Sequence, residues 1–119
     1  MTRPLELRGG FEIVLGDRAS GKSTESVRWA AQDPTRRVVV TANQVGAKYL
    51  AGLARTLYPA RDVDWTKVFV ASTASQFLWG RDVTVRVDEL QLVLQTLLGV
   101  SVDGVTATGS VYDIGGRHA

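Results

Sequence analysis

The sequence contains no cysteine and only one histidine, His118, which is the next-to-last of its 119 residues. Without cysteine the chain has no disulfide bonds, no thiolate zinc site and no cysteine nucleophile. A single histidine also excludes a multi-histidine metal site and leaves no histidine within the body of the sequence for a serine-type catalytic triad.

Long apolar runs are lacking as well. The most apolar stretch, residues 90–102, is interrupted by Gln91, Gln95, Thr96 and Ser101, and it is far shorter than the roughly 20 residues that a membrane-spanning helix needs. The first residues have no apolar segment behind their charges, so we expect no signal peptide. These features predict no membrane association and a cytoplasmic location.

Neither sign of charge dominates, because 14 Lys and Arg stand against 12 Asp and Glu, for a net charge of +2. The distribution is uneven: residues 1–61 carry ten basic and five acidic side chains, whereas residues 62–119 carry four and seven. A basic first half suits a nucleotide or a nucleic acid, and it also fits ordinary surface arginines. No linker or low-complexity segment divides the sequence, so we expect one domain over residues 1–119.

Strand-like and helix-like patterns alternate along the chain. Runs rich in β-branched residues predict strands, and apolar residues at helical spacing predict helices. Alternation of this kind predicts an α/β fold with a mainly parallel sheet between two helical layers. The predicted strands are 11–15, 37–41, 67–71, 83–87 and 104–108; the predicted helices are about 20–32, 44–57 and 90–98; 72–81 is a short helix or loop, Gly99 a helix cap, and 109–119 a polar tail.

Residues 16–23, with the sequence GDRASGKS, match the phosphate-loop pattern G-x-x-x-x-G-K-[ST] at every fixed position, between a predicted strand and a predicted helix. Glycines at both ends let successive backbone N–H groups converge on phosphate oxygens, and the helix N-terminus adds partial positive charge. In this pattern Lys22 contacts the β and γ phosphates, Ser23 binds Mg²⁺, and Thr24 can assist. The predicted nucleotide-binding residues are Gly16, Asp17, Arg18, Ala19, Ser20, Gly21, Lys22, Ser23 and Thr24.

A second candidate group, Asp88-Glu89, follows the predicted strand 83–87. Ligands of open α/β sheets bind at the carboxyl ends of the strands, so Asp88 is suited to hold the magnesium shell and Glu89 to activate a water molecule. In the alternative interpretation, Asp88 caps the helix that begins at Leu90, and Glu89 interacts with the helix dipole. The complete phosphate loop earlier in the chain favours the catalytic interpretation.

Together these two segments resemble the Walker A and Walker B motifs of a P-loop NTPase. The Asp-Glu pair is similar to that of the additional-strand branch with a catalytic glutamate, which includes the single ATPase lobe of helicases and of viral terminase large subunits. Three weaker similarities point the same way: Arg18 within the loop, residues 41–43 after the second strand, and residues 106–109 after Walker B. The resemblance covers residues 11 to about 112 and implies a RecA-like core, with one strand between the Walker A and Walker B strands.

The resemblance also implies an activity. An ATPase of this branch uses ATP and Mg²⁺, with Ser23 and Asp88 at the metal, Glu89, Lys22 and Arg18 as catalytic residues, and Thr106 or Thr108 sensing the γ-phosphate. A second motor lobe has no counterpart in 119 residues, so we expect the chain to act with copies of itself or with a partner protein. Candidates for a γ-phosphate arginine supplied by a neighbouring subunit are Arg81, Arg86 and Arg117.

Three other functions fit parts of the sequence. The first is a nucleotide-dependent interaction protein without significant hydrolysis. The second is a nucleoside kinase, because residues 20–25 and 88–91 resemble thymidine kinase, although the zinc cysteines and the long nucleoside-binding loop of that family are absent. The third is a nucleic-acid-binding module; its candidate phosphate contacts are Arg36, Arg37, Arg55 and Arg61.

The three tryptophans, Trp29, Trp65 and Trp79, suggest base stacking, but packing within a core or loop is the simpler expectation for each of them.

Overall fold

The structure, a computed structural model, describes residues 11–15 and 21–113. These residues belong to two compact units. One contains residues 23–104, and the other contains the described residues 11–15, 21–22 and 105–113.

Five strands and three α-helices are present in the described ranges. The strands are β1 (Glu12–Leu15), β2 (Arg37–Thr41), β3 (Phe69–Ala71), β4 (Thr84–Val87) and β5 (Ser110–Asp113), and the helices are α1 (Lys22–Ala31), α2 (Gln44–Leu57) and α3 (Leu90–Leu98). Two 3₁₀ helices, Trp65–Lys67 and Ser72–Leu78, flank β3. The fold is therefore α/β, as the alternating pattern predicts.

The unit of residues 23–104 contains a parallel three-stranded sheet in the order β3-β2-β4. The central strand, β2, has the sequence RVVVT and is buried from its second residue onward, as is typical of a strand covered on both faces. Val39 contributes to an apolar core with residues of α1, α2 and β3, among them Val27, Leu50 and Phe69. The helix α3 contacts β2 and buries Val93.

The other unit pairs β1 with β5, also in parallel, with Glu12 opposite Ser110 and Leu15 opposite Asp113. Just before this register begins, the Ser110 backbone N–H donates to the Phe11 carbonyl at 2.9 Å. A Cβ atom at Gly109 would lie 2.4 Å from the same carbonyl oxygen. Only glycine therefore fits at the point where the two strands come together.

Most of the predicted elements are confirmed. The bounds of β2, α2 and α3 agree with the prediction, and Gly99 ends α3 with φ of 73° and an N–H bond to the Gln95 carbonyl. The third strand is shorter than predicted, since residue 67 lies in a 3₁₀ helix and β3 begins at Phe69.

The predicted strand 104–108 is wrong. Those residues are irregular and exposed, and the last strand is Ser110–Asp113, within the segment predicted as a polar tail. The expected single sheet of about five strands is likewise not what the described residues form, because their strands belong to two sheets.

Candidate functional site

Buried polar side chains gather at one edge of the three-stranded sheet. In residues 11–15 and 21–111, where burial is described, the buried polar residues are Ser26, Thr41, Ser72 and Asp88. Thr41 is the last residue of β2, Ser72 directly follows β3, and Asp88 directly follows β4. Because the three strands are parallel, their carboxyl ends lie at the same edge, where ligands bind in open α/β folds. This edge is therefore the candidate site.

Asp88 is held in place by both its backbone and its side chain. Its N–H donates to the Val40 carbonyl at 2.8 Å, which extends the β2–β4 ladder to the end of the strand. Its carboxylate accepts a hydrogen bond from the Ser26 hydroxyl of α1, with an O···O distance of 3.4 Å. The N-cap position of α3 belongs to Glu89, so Asp88 lies one residue outside the helix that the alternative interpretation has it capping.

Glu89 has an unusual backbone conformation. Its φ of 58° and ψ of 66° place it in the left-handed region, and no other non-glycine residue in the described ranges has a positive φ. A residue with a Cβ pays about 1–2 kcal/mol in this region. The Glu89 side chain is exposed and makes no capping hydrogen bond to α3 that would offset that cost. Backbone strain of this kind is concentrated at functional sites.

The helix α1 begins within the phosphate-loop motif. Gly21 has φ of 91°, and nothing lies within 4 Å of a Cβ built there, so the backbone angle rather than space calls for glycine. Lys22, Ser23 and Thr24 form the first turn of α1, and each is partly buried. Gly16, Asp17, Arg18, Ala19 and Ser20 lie outside the described residues, and so does Arg117.

Next to Ser26, a second contact joins α1 to β4. Glu25 forms an ion pair with Arg86, whose side chain is only 15% exposed. Arg86 also stacks 4.6 Å from the ring centre of Trp29, and Arg37 stacks on the same ring at 4.9 Å. The Arg86 guanidinium is therefore held by contacts within its own chain. These contacts argue against its predicted role as an arginine supplied to a neighbouring subunit.

The segment after β2 has a structural role at the same edge. Asn43 caps α2, because its side chain accepts from the Gly46 N–H at 2.9 Å. The Ser72 hydroxyl donates to the Ala42 carbonyl at 2.8 Å and so links the ends of β2 and β3. The cap explains the asparagine at position 43 without involving a ligand, whereas the bond from Ser72 uses only the backbone of Ala42.

Other predicted residues lie in different structural settings from those expected. Thr106 and Thr108, the predicted γ-phosphate sensors, are exposed in an irregular segment instead of ending a strand. Arg81 lies before β4, at the amino ends of the strands, where it lines an open cavity of about 310 Å³ together with Asp62, Asp64 and Lys67. This cavity is at the edge opposite Asp88.

The predicted phosphate-contact arginines serve the packing of the chain or lie at its surface. Arg37 donates to the Trp29 carbonyl at 2.8 Å, and Arg61 donates to the Ala31 carbonyl at 2.7 Å and stacks over Tyr58. Arg36 has a 4.0 Å contact with Asp82, with both side chains exposed, and Arg55 is also exposed. The contacts of Arg37 and Arg61 within the chain argue against their predicted role as phosphate contacts.

The tryptophans follow the packing expectation in two of three cases. Trp65 is 2% exposed in the core, and two arginines, Arg37 and Arg86, pack against the ring of Trp29. Trp79 is 81% exposed, so neither core nor loop packing accounts for it.

No cluster of three or more Asp, Glu, His or Cys side chains suited to a metal occurs in the part of the chain that the structure describes. Such a cluster is not needed for a Mg²⁺ ion that is bound through one or two protein oxygens, waters and substrate phosphates. Ser23 on α1 and Asp88 after β4 are oxygen donors of that kind. None of the described helices is long and apolar enough to cross a membrane.

No protein-family model, curated protein or solved structure matches this chain. Its function must therefore be argued from the site itself.

The sequence reasoning missed Ser26 and the Glu25–Arg86 pair. Ser26 follows Ser23 by three residues, a spacing that places both on one side of a helix. That spacing was the available signal, but a serine within a helix also fits a surface position. The ion pair joins residues 61 apart, and no local pattern indicates it.

Proposed function

We propose that this chain is a P-loop NTPase that binds MgATP through residues 16–24 and hydrolyses it with Asp88 and Glu89. One observation carries the proposal: the buried Asp88 carboxylate after β4 is bonded to Ser26, in the same helix that begins with the Lys-Ser of the phosphate-loop motif. The exposed and strained Glu89 comes next. A phosphate motif and an Asp-Glu pair 65 residues apart in sequence are thereby connected through one helix.

Different residues would bind the phosphates, hold the metal and accept the proton. Lys22, with Arg18 in the loop, neutralises charge on the phosphates. The Ser23 hydroxyl and the Asp88 carboxylate would hold Mg²⁺, which would supply charge neutralisation at the phosphate oxygens. Glu89 accepts a proton from the attacking water, as a general base does, and its side chain is exposed to solvent in the described structure. Cytoplasmic location, where MgATP is available, belongs to the same proposal.

A RecA-like core with helices on both sides of about five mainly parallel strands is also part of the proposal. Support comes from the strands in the described ranges, which are all parallel to their partners. Helices α1, α2 and α3 come after β1, β2 and β4 respectively, in the β-then-α order of this fold class.

Equilibrium binding of a fluorescent ATP analogue with and without Mg²⁺ tests the proposal. We expect Mg²⁺-dependent binding by the wild-type protein and a loss of affinity of roughly 10- to 100-fold in Lys22→Ala, which removes a charged contact to the phosphates. Lys48→Ala is the matched control, because Lys48 is an exposed lysine on another helix; it should bind as the wild type does. Equal affinity in all three proteins would contradict the proposal.

A further inference from the structure

We propose that Ser26 is a positioning residue that orients the Asp88 carboxylate for Mg²⁺. This inference rests on the proposed function and extends it to a residue outside the phosphate-loop motif. Ser26 does not contact the nucleotide in this account. It acts through Asp88.

The contact between the two side chains is buried and long-range in sequence. Ser26 is 5% exposed and Asp88 is 9% exposed, and the hydroxyl donates across 62 residues to Oδ1 of the carboxylate. The O···O distance of 3.4 Å is longer than the usual ~2.7–2.8 Å. Loss of this donor should nevertheless be costly, because the acceptor is a charged carboxylate and both groups are buried, where water has little access to replace the hydroxyl.

The position of Ser26 on α1 gives this contact a consequence for metal binding. Ser23 precedes it by three residues on the same helix, so a single rigid element carries both the proposed metal-binding hydroxyl and the donor to the proposed metal-binding carboxylate. Groups that hydrogen-bond to metal ligands fix the orientation of those ligands, and their loss weakens metal binding.

A neighbouring contact holds α1 on the sheet independently of the Ser26–Asp88 hydrogen bond. The Glu25–Arg86 ion pair, together with the stacking of Arg86 on Trp29, fastens α1 to β4 without involving Asp88. Loss of the Ser26 hydroxyl should therefore leave α1 docked on the sheet and change mainly the direction in which the carboxylate points. The expected phenotype is weakened Mg²⁺ use in a folded protein.

The test is a Mg²⁺ titration of ATP turnover at saturating ATP, for wild type, Ser26→Ala and Ser26→Thr. We expect Ser26→Ala to raise the Mg²⁺ concentration for half-maximal turnover by roughly 10-fold, the scale at which such supporting contacts act. Ser26→Thr keeps the hydroxyl and should restore most of the lost Mg²⁺ sensitivity. Circular dichroism and thermal unfolding establish that each variant is folded.

Ser72→Ala is the matched control. Ser72 is an equally buried serine at the same sheet edge, but its hydroxyl donates to the Ala42 carbonyl. This variant should lose stability without changing its half-saturating Mg²⁺ concentration. A Ser26→Ala protein that is folded and has the wild-type Mg²⁺ dependence overturns the assignment of Ser26 alone. A wild-type protein that neither binds nor hydrolyses MgATP overturns both proposals.

Discussion

Glu89 has a strained, left-handed backbone conformation and an exposed carboxylate. The left-handed backbone at this residue would suit glycine, and the side chain provides no cap for α3 in return. Asn and Gly occupy such positions with less strain. A glutamate at this point is therefore explained better by what its carboxylate does than by the stability of the turn.

Substitution of Glu89 should separate stability from activity. Glu89→Gly is expected to raise the free energy of unfolding by about 1 kcal/mol, because it removes the left-handed strain, and to abolish ATP turnover. Glu89→Gln keeps the backbone strain, so the free energy of unfolding should not change. It removes the carboxylate, so ATP turnover should be abolished. Urea denaturation and phosphate release measured on both variants check this prediction. A Glu89→Gly protein with full turnover would show that the Glu89 carboxylate is not needed for catalysis.

Asp64 gives a prediction about pH at a site away from the proposed chemistry. The Thr66 hydroxyl donates to its carboxylate at 2.5 Å, and this bond is the main reason that the pKa of Asp64 lies below its ordinary value of 3.8; the Thr66 backbone N–H adds to the effect, while partial desolvation opposes it. A lowered pKa in the folded state means that the stabilisation is present above the unfolded-state pKa. It is lost as the pH falls through the lowered pKa.

The measurement is an NMR titration of the Asp64 side chain. We expect a midpoint below 3.8 in the wild type and a shift back toward that value in Thr66→Val, which removes the hydroxyl donor but preserves the side-chain shape. An unchanged midpoint in the variant would mean that the side-chain bond is not the cause.

At the scale of elements, the start of α2 depends on a close approach to the end of β2. A Cβ atom on Gly46 would lie 2.7 Å from the Thr41 hydroxyl oxygen and 3.3 Å from its methyl carbon, and Thr41 is buried. Gly52, in the same helix, has nothing within 4 Å of its Cβ position. Close packing therefore requires glycine at position 46, whereas the surroundings of residue 52 leave room for a side chain.

Alanine substitutions of these glycines should act in opposite directions. Gly46→Ala is expected to destabilise the fold by about 1–3 kcal/mol through overpacking against Thr41. Gly52→Ala should stabilise it by about 0.5–1 kcal/mol, because alanine is the better helix former. Thermal unfolding of both variants measures the difference, and an equal effect at the two positions would contradict the close packing of α2 on β2.

The helices could be predicted from sequence because their ends carry local signals. Asn43 caps α2 through its side chain, and Gly99 ends α3 in the left-handed conformation. The last strand could not be located in this way. Residues 104–108 have more β-branched side chains than 110–113, but pairing with β1 decides which segment becomes a strand, and that partner lies about 98 residues earlier in register.

The candidate site was predicted in part. The motif placed Lys22 and Ser23 at the start of a helix, and the strand pattern placed Asp88 and Glu89 after a strand; the structure has both arrangements. The contact with Ser26 and the left-handed angle of Glu89 depend on packing between α1, β4 and α3. Such tertiary contacts leave no periodic pattern in the sequence.

Across the molecule as a whole, α3, the last helix in the described ranges, stands out because most of its apolar side chains are exposed. The helix α3 has no charged residue and buries only Val93 of its nine residues, while Leu92, Leu97 and Leu98 are more than half exposed. Helices that are apolar on most sides are normally covered. Such an exposed face is what the sequence-based expectation of a self-associating or partner-bound chain requires.

If copies of the chain assemble, mass and turnover should rise together with concentration. We expect the specific ATPase activity and the mass from light scattering to increase in parallel, and Leu97→Lys with Leu98→Lys to hold the protein as a monomer of low activity. A monomer whose specific activity is constant across the series would exclude self-assembly as a requirement for turnover.

Single-turnover release of phosphate from MgATP, compared between wild type and Glu89→Gln, tests whether Glu89 is the general base of an ATPase. The substitution keeps the size of the side chain at residue 89 and replaces its carboxylate with a neutral amide, which cannot act as a general base. We predict unchanged nucleotide binding and a rate of phosphate release that falls on the order of 100-fold or more. Release at the wild-type rate in Glu89→Gln, or no release by the wild type when it is saturated with MgATP, would contradict this account.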